Sequence, residues 1–164
     1  MDVTQIEVGK FDYEEDLYNF DNVAAEAVGH QRVINPERKI ILTGQTKSIL
    51  RGDKYRVGQV ITNLLINALK YSPKDAPVKV RIKKNREAVI LSVTDFGIGI
   101  PKGETKSIFR EFYRTGTPQK DKAKGTGLGL FISSKIVKHH NGKICVKSDG
   151  VSGSVFFMEL PREH

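Results

Sequence analysis

The sequence predicts a single α/β domain built as a two-layer sandwich, in which helices pack on one face of a mixed β-sheet. Its 164 residues are enough to bury a hydrophobic core. The hydrophobic fraction of 38% and the charged fraction of 28% are typical of a globular domain. Candidate strands and helices follow one another without regular βαβ alternation, which favours this layered arrangement over a doubly wound parallel sheet.

The first part of the chain carries short strand candidates and one helix. A strand is predicted to begin at residues 11–13, and Asp21 is predicted to cap the helix that follows it. Short apolar runs at residues 39–42 and 48–51 predict two further strands.

A second helix has a signal at each end. Asp53 is a candidate N-cap, and the Ser72-Pro73 step disfavours further helix. Between these ends, apolar residues recur at helical spacing, namely Val57, Val60, Ile61, Leu64, Leu65 and Ala68. This periodicity predicts an amphipathic helix that buries one face.

The remaining elements are a hairpin, a polar segment, a third helix and two closing strands. Alternating apolar residues at 78–83 and 88–94 predict a hairpin that turns at residues 85–87. Residues 101–124 are polar apart from one short helix, and a longer helix is predicted over residues 128–139. Two alternating apolar runs then predict the closing strands.

The charge of the chain does not indicate a nucleic-acid partner. The formal net charge is +8, but the basic residues are scattered. At residues 79–83 they alternate with apolar residues, as on the solvated face of a strand. Aromatic residues do not interleave with the lysines as they do in a groove that binds single strands.

The compartment follows from what the chain contains. No apolar run approaches the ~20 residues that span a bilayer, and no secretory signal is present. Cys145 is the single cysteine and lies in an alternating apolar run, so we expect a buried, reduced thiol. These features predict a cytoplasmic domain.

The second helix carries polar residues that its packing does not explain. At ~100° per residue, Asn63, Asn67 and Lys70 fall on one stripe beside the apolar face, with Tyr71 at its edge. Asparagine is a mediocre helix former, so two of them one turn apart suggest a ligand site. Amide oxygens suit a hydrated Mg²⁺ ion, and a lysine suits phosphate. A solvated helix flank is the structural alternative.

The segment VTDFGIGI places a carboxylate and two glycines after an apolar strand. Asp95 can accept a hydrogen bond from an exocyclic amine such as that of adenine, and glycines let a ligand approach the backbone. An ordinary acidic turn is the alternative. The Asp-Phe-Gly tripeptide also occurs in eukaryotic-type protein kinases, but the other motifs of those kinases are absent from the sequence.

The segment GTGLGL at residues 125–130 opens directly into the predicted third helix. Backbone amides and the positive end of the helix dipole make an anion site there. The glycine spacing matches neither a Walker loop nor a dinucleotide-binding fingerprint. A simple helix-entry turn is the alternative.

Taken in order, these motifs resemble those of bacterial two-component sensor histidine kinases. Residues 63–73 are similar to the asparagine box, 95–100 to the first glycine box, 108–114 to the phenylalanine box and 125–130 to the second glycine box. The similarity extends from about residue 11 to residue 161. It implies the ATP-binding catalytic domain, with the Bergerat fold of the gyrase, chaperone, kinase and mismatch-repair ATPases (the GHKL superfamily).

The resemblance implies a role for each matching residue, with ATP and Mg²⁺ as cofactors. It places the magnesium ion on the side chains of Asn63 and Asn67, and it makes Lys70 a phosphate contact. The base pocket would be formed by Tyr71, Asp95, Gly97, Gly99 and Ile100, with Asp95 accepting from the adenine amine. Arg114 would reach the terminal phosphate, and the phosphates would be surrounded by Gly125, Thr126, Gly127, Leu128 and Gly129.

The resemblance also implies a domain plan and partners. Residues 1–9 would be the stub of a dimerisation helix or linker, and residues 10–164 the catalytic domain, with an ATP lid at about 101–124. The phosphoryl group would pass to a histidine on the dimerisation domain of the same parent protein, and from there to a response regulator. This fragment is expected to be a monomer, and the parent a homodimer that can be anchored in the inner membrane.

No histidine of this chain matches the phosphoacceptor motif. After His30 the proline falls one position late and the acidic residue is missing. His139 and His140 end a predicted helix, where a surface role beside the helix dipole is expected. The general base would therefore lie on the dimerisation domain, and no residue here is assigned to it.

Two alternatives within the same fold stay open at this point. One is an ATPase or serine kinase of another branch, but the hydrolases carry a water-activating glutamate where this chain has Asn63. The other is a degenerate binding module, against which the retained Asn67, Asp95, Arg114 and pocket glycines argue.

Overall fold

Seven strands and three α-helices make up the part of the domain that the structure describes. The structure, a computed structural model, describes residues 12–101, 103–110 and 129–162. The strands are β1 (Asp16–Asn19), β2 (Ile40–Thr43), β3 (Ile49–Gly52), β4 (Val78–Lys84), β5 (Ala88–Asp95), β6 (Lys143–Ser148) and β7 (Ser154–Pro161). The helices are α1 (Phe20–Ile34), α2 (Lys54–Tyr71), α3 (Gly129–His139) and a short 3₁₀ turn at Ser107–Phe109.

Five of the strands form a mixed sheet in the order β2-β4-β5-β7-β6. Strand β2 runs parallel to β4, and every other neighbouring pair is antiparallel. Strands β1 and β3 form a separate antiparallel pair. The predicted two-layer α/β fold is confirmed, since the helices pack against the inner face of this mixed sheet.

The hairpin between β4 and β5 shows how local sequence sets the sheet. Alternate residues of β4 are buried and exposed, with Val78, Val80 and Ile82 facing the core and lysine or arginine between them. The turn is fixed by the Asn85 side chain, whose oxygen accepts from the backbone N–H groups of Glu87 and Ala88.

Helix α2 forms the centre of the core. Its N-cap is Asp53, whose carboxylate accepts from the N–H groups of Tyr55 and Arg56, and it ends at Ser72 as predicted. Its buried side is Val57, Val60, Ile61, Leu64, Leu65, Ala68 and Leu69. The flank beside this apolar stripe carries the asparagines and lies at the edge of the core.

Several sequence predictions were wrong in detail. The first described strand is β1 rather than residues 11–13, of which residue 11 lies outside the described part. The N-cap of α1 is Asn19, which accepts from the N–H of Asn22, whereas Asp21 lies in the first turn and binds elsewhere. Cys145 is exposed, because β6 turns Val146 towards the core and Cys145 away from it. His140 is buried rather than on the surface.

The beginning of the predicted lid is described and packs on the core. Ile108 is buried, and the ring of Phe109 meets the edge of Phe156 at a centroid distance of 6.3 Å. Most of the remaining lid, from residue 111 onward, lies outside the described residues. No helix among those the structure describes has both the length and the apolar content to cross a membrane.

Candidate functional site

The polar flank of α2 holds the first group of candidate residues. Asn63, Asn67 and Tyr71 are half-buried, and Lys70 is exposed. Asn63, Asn67 and Lys70 are spaced three or four residues apart, and Tyr71 follows Asn67 by four, so all four line one side of the helix beside its buried stripe. The sequence therefore placed these four side chains on one flank, as the helical period requires.

Asn63 joins α2 to the beginning of α3. Its Nδ2 donates to the carbonyl oxygen of Gly129 and to Oγ of Ser133, each at 3.3 Å. Ser133 is fully buried, so this contact lies between the two helices. Because the amide nitrogen is used in this way, the amide oxygen of Asn63 is the atom available to a cation.

Asp95 ends β5 with its carboxylate fixed on both sides. The residue is 3% exposed. Oδ1 accepts from the N–H of Gly97 at 3.0 Å, and Oδ2 accepts from Oγ of Ser154 at 2.7 Å. Each carboxylate oxygen has a further lone pair, so Asp95 is an oriented acceptor that can still accept from a ligand donor.

Gly97 brings the first glycine turn against the end of α2. A Cβ at this position would lie 2.2 Å from the carbonyl oxygen of Tyr71, so no other residue fits without a shift. Beside it, the N–H of Phe96 donates to Oγ of Ser72 at 3.2 Å. The asparagine-bearing helix and the Asp95 turn are thus in direct contact.

The rest of the turn is anchored on the loop between β6 and β7. Gly99 has a positive φ of 77°, and the N–H of Ile100 donates to Oγ of Ser148 at 2.8 Å. Ser148 in turn donates to the carbonyl oxygen of Gly153 at 2.7 Å. Ile100 is buried in the core. Hydrogen bonds of Ser148, rather than sheet pairing, therefore fix this part of the turn.

The structure brings together the candidates on α2, the Asp95 turn and Gly129. Arg114, Gly125, Thr126, Gly127 and Leu128 lie outside the described residues, so their predicted placement stays a prediction. The sequence reasoning missed the serines that support the site, which are Ser72, Ser133, Ser148 and Ser154. The usable signal was Ser154, an inward-facing serine in an apolar strand, opposite Asp95 in the sheet.

The domain matches a known family of proteins. The family model for histidine kinase-, DNA gyrase B-, and HSP90-like ATPases matches residues 52–164, which include α2, the Asp95 turn and α3. The chain belongs to this ATPase family. The family resemblance indicated by the four motifs is therefore confirmed.

Sensor histidine kinases are among the relatives of this chain. SenX3, a sensor-like histidine kinase of Mycolicibacterium smegmatis, is 32% identical over 148 residues, which are 89% of this chain and 38% of SenX3. The sensor histidine kinase WalK of Bacillus subtilis is 40% identical over 111 residues, which are 66% of this chain and 18% of WalK. The chain thus spans less than half the length of these curated relatives.

A solved structure of a sensor histidine kinase has a fold similar to that of this chain. The mycobacterial sensor histidine kinase MprB superposes with a TM-score of 0.80 at 26% identity, covering 92% of this chain and 99% of that chain. The α/β arrangement of this ATPase domain is therefore that of a histidine kinase structure along almost the whole length of both chains.

Proposed function

We propose that this chain is the ATP-binding catalytic domain of a sensor histidine kinase, which binds Mg-ATP and donates the terminal phosphoryl group to a histidine on a separate dimerisation domain. The family match and the sensor kinases among its relatives support this class of activity. The single observation that carries the nucleotide assignment is Asp95, a buried carboxylate oriented at the end of β5.

The Asp95 carboxylate would give the site a preference for adenine. Its oxygens are held by Gly97 and Ser154, so it cannot turn away from a ligand without losing those hydrogen bonds. Adenine offers an exocyclic N–H donor to such an acceptor, whereas guanine presents a carbonyl oxygen at that position of the ring. A site built around one hydrogen bond rejects a ligand that leaves it unpaired.

The phosphates and the metal would lie between α2 and the start of α3. The amide oxygens of Asn63 and Asn67 fit Mg²⁺, which binds few protein ligands and keeps several waters. The ion would neutralise phosphate charge. Lys70 would contact phosphate from α2, and Gly129 lies where the Asn63 contact joins α3. Arg114, Gly125, Thr126, Gly127 and Leu128 would complete the phosphate contacts.

The chemistry that this chain supplies is binding and orientation. In transfer, a ring nitrogen of the acceptor histidine bonds to the terminal phosphorus as the bond from phosphorus to the ADP oxygen breaks. The acceptor's proton would leave to a base on the dimerisation domain. Asn63 stands where the hydrolases of this fold carry a glutamate, and an amide cannot take a proton from water near neutral pH. This favours transfer over hydrolysis.

The wider setting follows from the same proposal. The catalytic domain would act on the dimerisation domain of its own parent protein, a homodimer, and would supply a response regulator indirectly. It would work in the cytoplasm, and it would use no nucleic acid.

Calorimetric titration of the chain with Mg-ATP and Mg-GTP tests the proposal. We expect binding of ATP to be at least about tenfold tighter than binding of GTP, which is about 1.4 kcal/mol. Asp95→Asn should remove most of this preference. Asp75→Asn makes the same chemical change at an exposed residue and should leave the preference intact. Equal affinity of the unaltered chain for the two nucleotides would refute the adenine assignment.

A further inference from the structure

Arg38 lies between α1 and β2, outside every motif of the candidate site, yet its side chain reaches the end of α2. Nη1 donates to the carbonyl oxygen of Leu69 at 2.9 Å. Nη2 lies 3.3 Å from the carbonyl oxygen of Pro73 and 3.5 Å from that of Ser72. One side chain therefore contacts three backbone acceptors at the C-terminal end of α2.

We propose that Arg38 is a positioning residue for nucleotide binding, because it holds the C-terminal end of α2 in the place from which that end shapes the base pocket. The inference rests on the proposed nucleotide function, but it concerns a residue that is not among the proposed base and phosphate contacts.

The physical need is set by the end of the helix. The last carbonyl groups of a helix have no partner within it, and they carry the negative end of the helix dipole. A guanidinium is positively charged and presents several N–H donors in one plane, so Arg38 can satisfy more than one of these carbonyls at once. A lysine ammonium is a compact point charge and cannot span the same set of acceptors.

The end of α2 in turn contacts the base pocket directly. A Cβ on Gly97 would lie only 2.2 Å from the carbonyl oxygen of Tyr71. Oγ of Ser72 accepts from the N–H of Phe96 at 3.2 Å. The N–H of Gly97 then donates to Oδ1 of Asp95. A shift at the end of α2 would therefore pass through this turn to the carboxylate.

Burial supports a specific role for the guanidinium. The Arg38 side chain is half-buried, and its Nε is buried with no acceptor among the described residues. A desolvated N–H without a partner costs free energy, so the position is unfavourable for an arginine unless its other nitrogens gain from it. Those nitrogens are the ones that meet the end of α2.

Arg32 provides a matched control on the neighbouring helix. Its Nε and Nη2 donate to the carbonyl oxygen of Ile40 at 3.1 and 2.8 Å, so it too is an arginine that binds backbone. Its acceptor is the first residue of β2, an edge strand of the sheet, and not the end of α2. Loss of Arg32 thus reproduces the chemical change without touching the base pocket.

The experiment compares Arg38→Gln with Arg32→Gln, at a temperature where melting curves show both variants folded. Calorimetry with Mg-ATP should show affinity about tenfold weaker for Arg38→Gln, and within about twofold of the original chain for Arg32→Gln. Hydrogen exchange should show lower protection of the Phe96 amide in Arg38→Gln alone, with protection in β4 and β5 unchanged. A merely structural role would not single out that amide.

The outcomes separate the inference from the proposed function. If Arg38→Gln fails to fold, Arg38→Lys takes its place and should again weaken ATP binding and Phe96 protection. Unchanged affinity in the Arg38 variant, or an equal loss in both arginine variants, would overturn the positioning role. An original chain that binds no ATP would instead overturn the proposed function.

Discussion

Asp21 lies in the first turn of α1, where its carboxylate binds the loop between β2 and β3. It accepts from the backbone N–H of Thr46 at 2.9 Å, from Oγ1 of Thr46 at 2.6 Å and from the N–H of Lys47 at 2.8 Å. Burial acts to raise the pKa of Asp21, but the hydrogen bonds from Thr46 and Lys47 outweigh it and lower the pKa below its ordinary value of 3.8.

The sign of this shift gives a prediction for stability. A carboxyl group with a lowered pKa in the folded state stabilises the fold above its unfolded pKa, and it loses that effect as the pH falls through the folded value. We expect Asp21→Asn to lower the free energy of unfolding by about 1–2 kcal/mol at pH 7. In urea unfolding, this difference should shrink as the pH falls below 3.8. Asp75→Asn is the control, and a difference independent of pH would contradict the assignment.

Ser154 supports the carboxylate on which the nucleotide proposal depends. Its hydroxyl is buried and donates to Oδ2 of Asp95. Ser154→Ala leaves that oxygen without its donor, so we expect ATP affinity to fall and the free energy of unfolding to drop by about 1–2 kcal/mol. Ser152→Ala, at an exposed serine in the preceding loop, removes a hydroxyl that donates to Asp149 instead, and it should leave ATP affinity unchanged. Calorimetry and urea unfolding of the two variants provide the test.

At the scale of elements, His140 connects the two helices that carry the site. It follows α3, where Nδ1 lies 2.8 Å from the carbonyl oxygen of Ile136. Nε2 accepts from the backbone N–H of Asp53, the N-cap of α2, at 3.0 Å. Since a carbonyl oxygen can only accept, Nδ1 carries the proton and the ring is in its neutral form. The end of α3 is thereby fixed to the beginning of α2.

Replacement of His140 should therefore destabilise the whole domain. We expect His140→Ala to lower the free energy of unfolding by about 2–4 kcal/mol, because it leaves a cavity and removes the acceptor of a buried N–H. His30→Ala, at an exposed histidine of α1, should stay within about 0.5 kcal/mol of the original chain. Thermal or urea unfolding measures both, and equal effects would contradict the role of His140.

At the scale of the whole molecule, the proposed reaction needs a second domain. The sequence carries no histidine in a phosphoacceptor motif, and Asn63 cannot activate water. Transfer then depends on a histidine brought close to the terminal phosphate, since proximity and orientation account for much of phosphoryl-transfer catalysis. The domain is expected to bind ATP alone and to transfer phosphate only to a supplied acceptor.

Incubation with γ-labelled ATP tests this division of labour. Residues 1–164 alone should acquire no acid-labile label, and a dimerisation domain supplied in trans should be labelled on its histidine. Label on the chain by itself would contradict the prediction, and loss of that label in His30→Gln would identify His30 as its position.

Asn67→Ala should bind ATP with less dependence on magnesium and should slow transfer, while the fold stays intact because Asn67 lies off the apolar stripe.

Local patterns in the sequence were sufficient for most elements and for the family. The helical period predicted the buried stripe of α2, Asp53 its N-cap, and strand alternation with Asn85 the hairpin of β4 and β5. These signals are short in range, because caps, turns and periodic faces depend on residues within a few positions of one another. The order of the four motifs along the chain was enough to predict the ATPase family.

The contacts that fix the site were decided by tertiary structure. Ser154 is 59 residues from Asp95, Arg38 is 31 residues from Leu69, and His140 is 87 residues from Asp53. The sequence around each of these residues does not indicate its partner, because the partner lies far along the chain. Only folding brings the two together. The sequence alone determined which segments resemble a nucleotide site and which face of α2 is buried. The tertiary structure decided which distant side chains hold them, since packing selects partners by position in space.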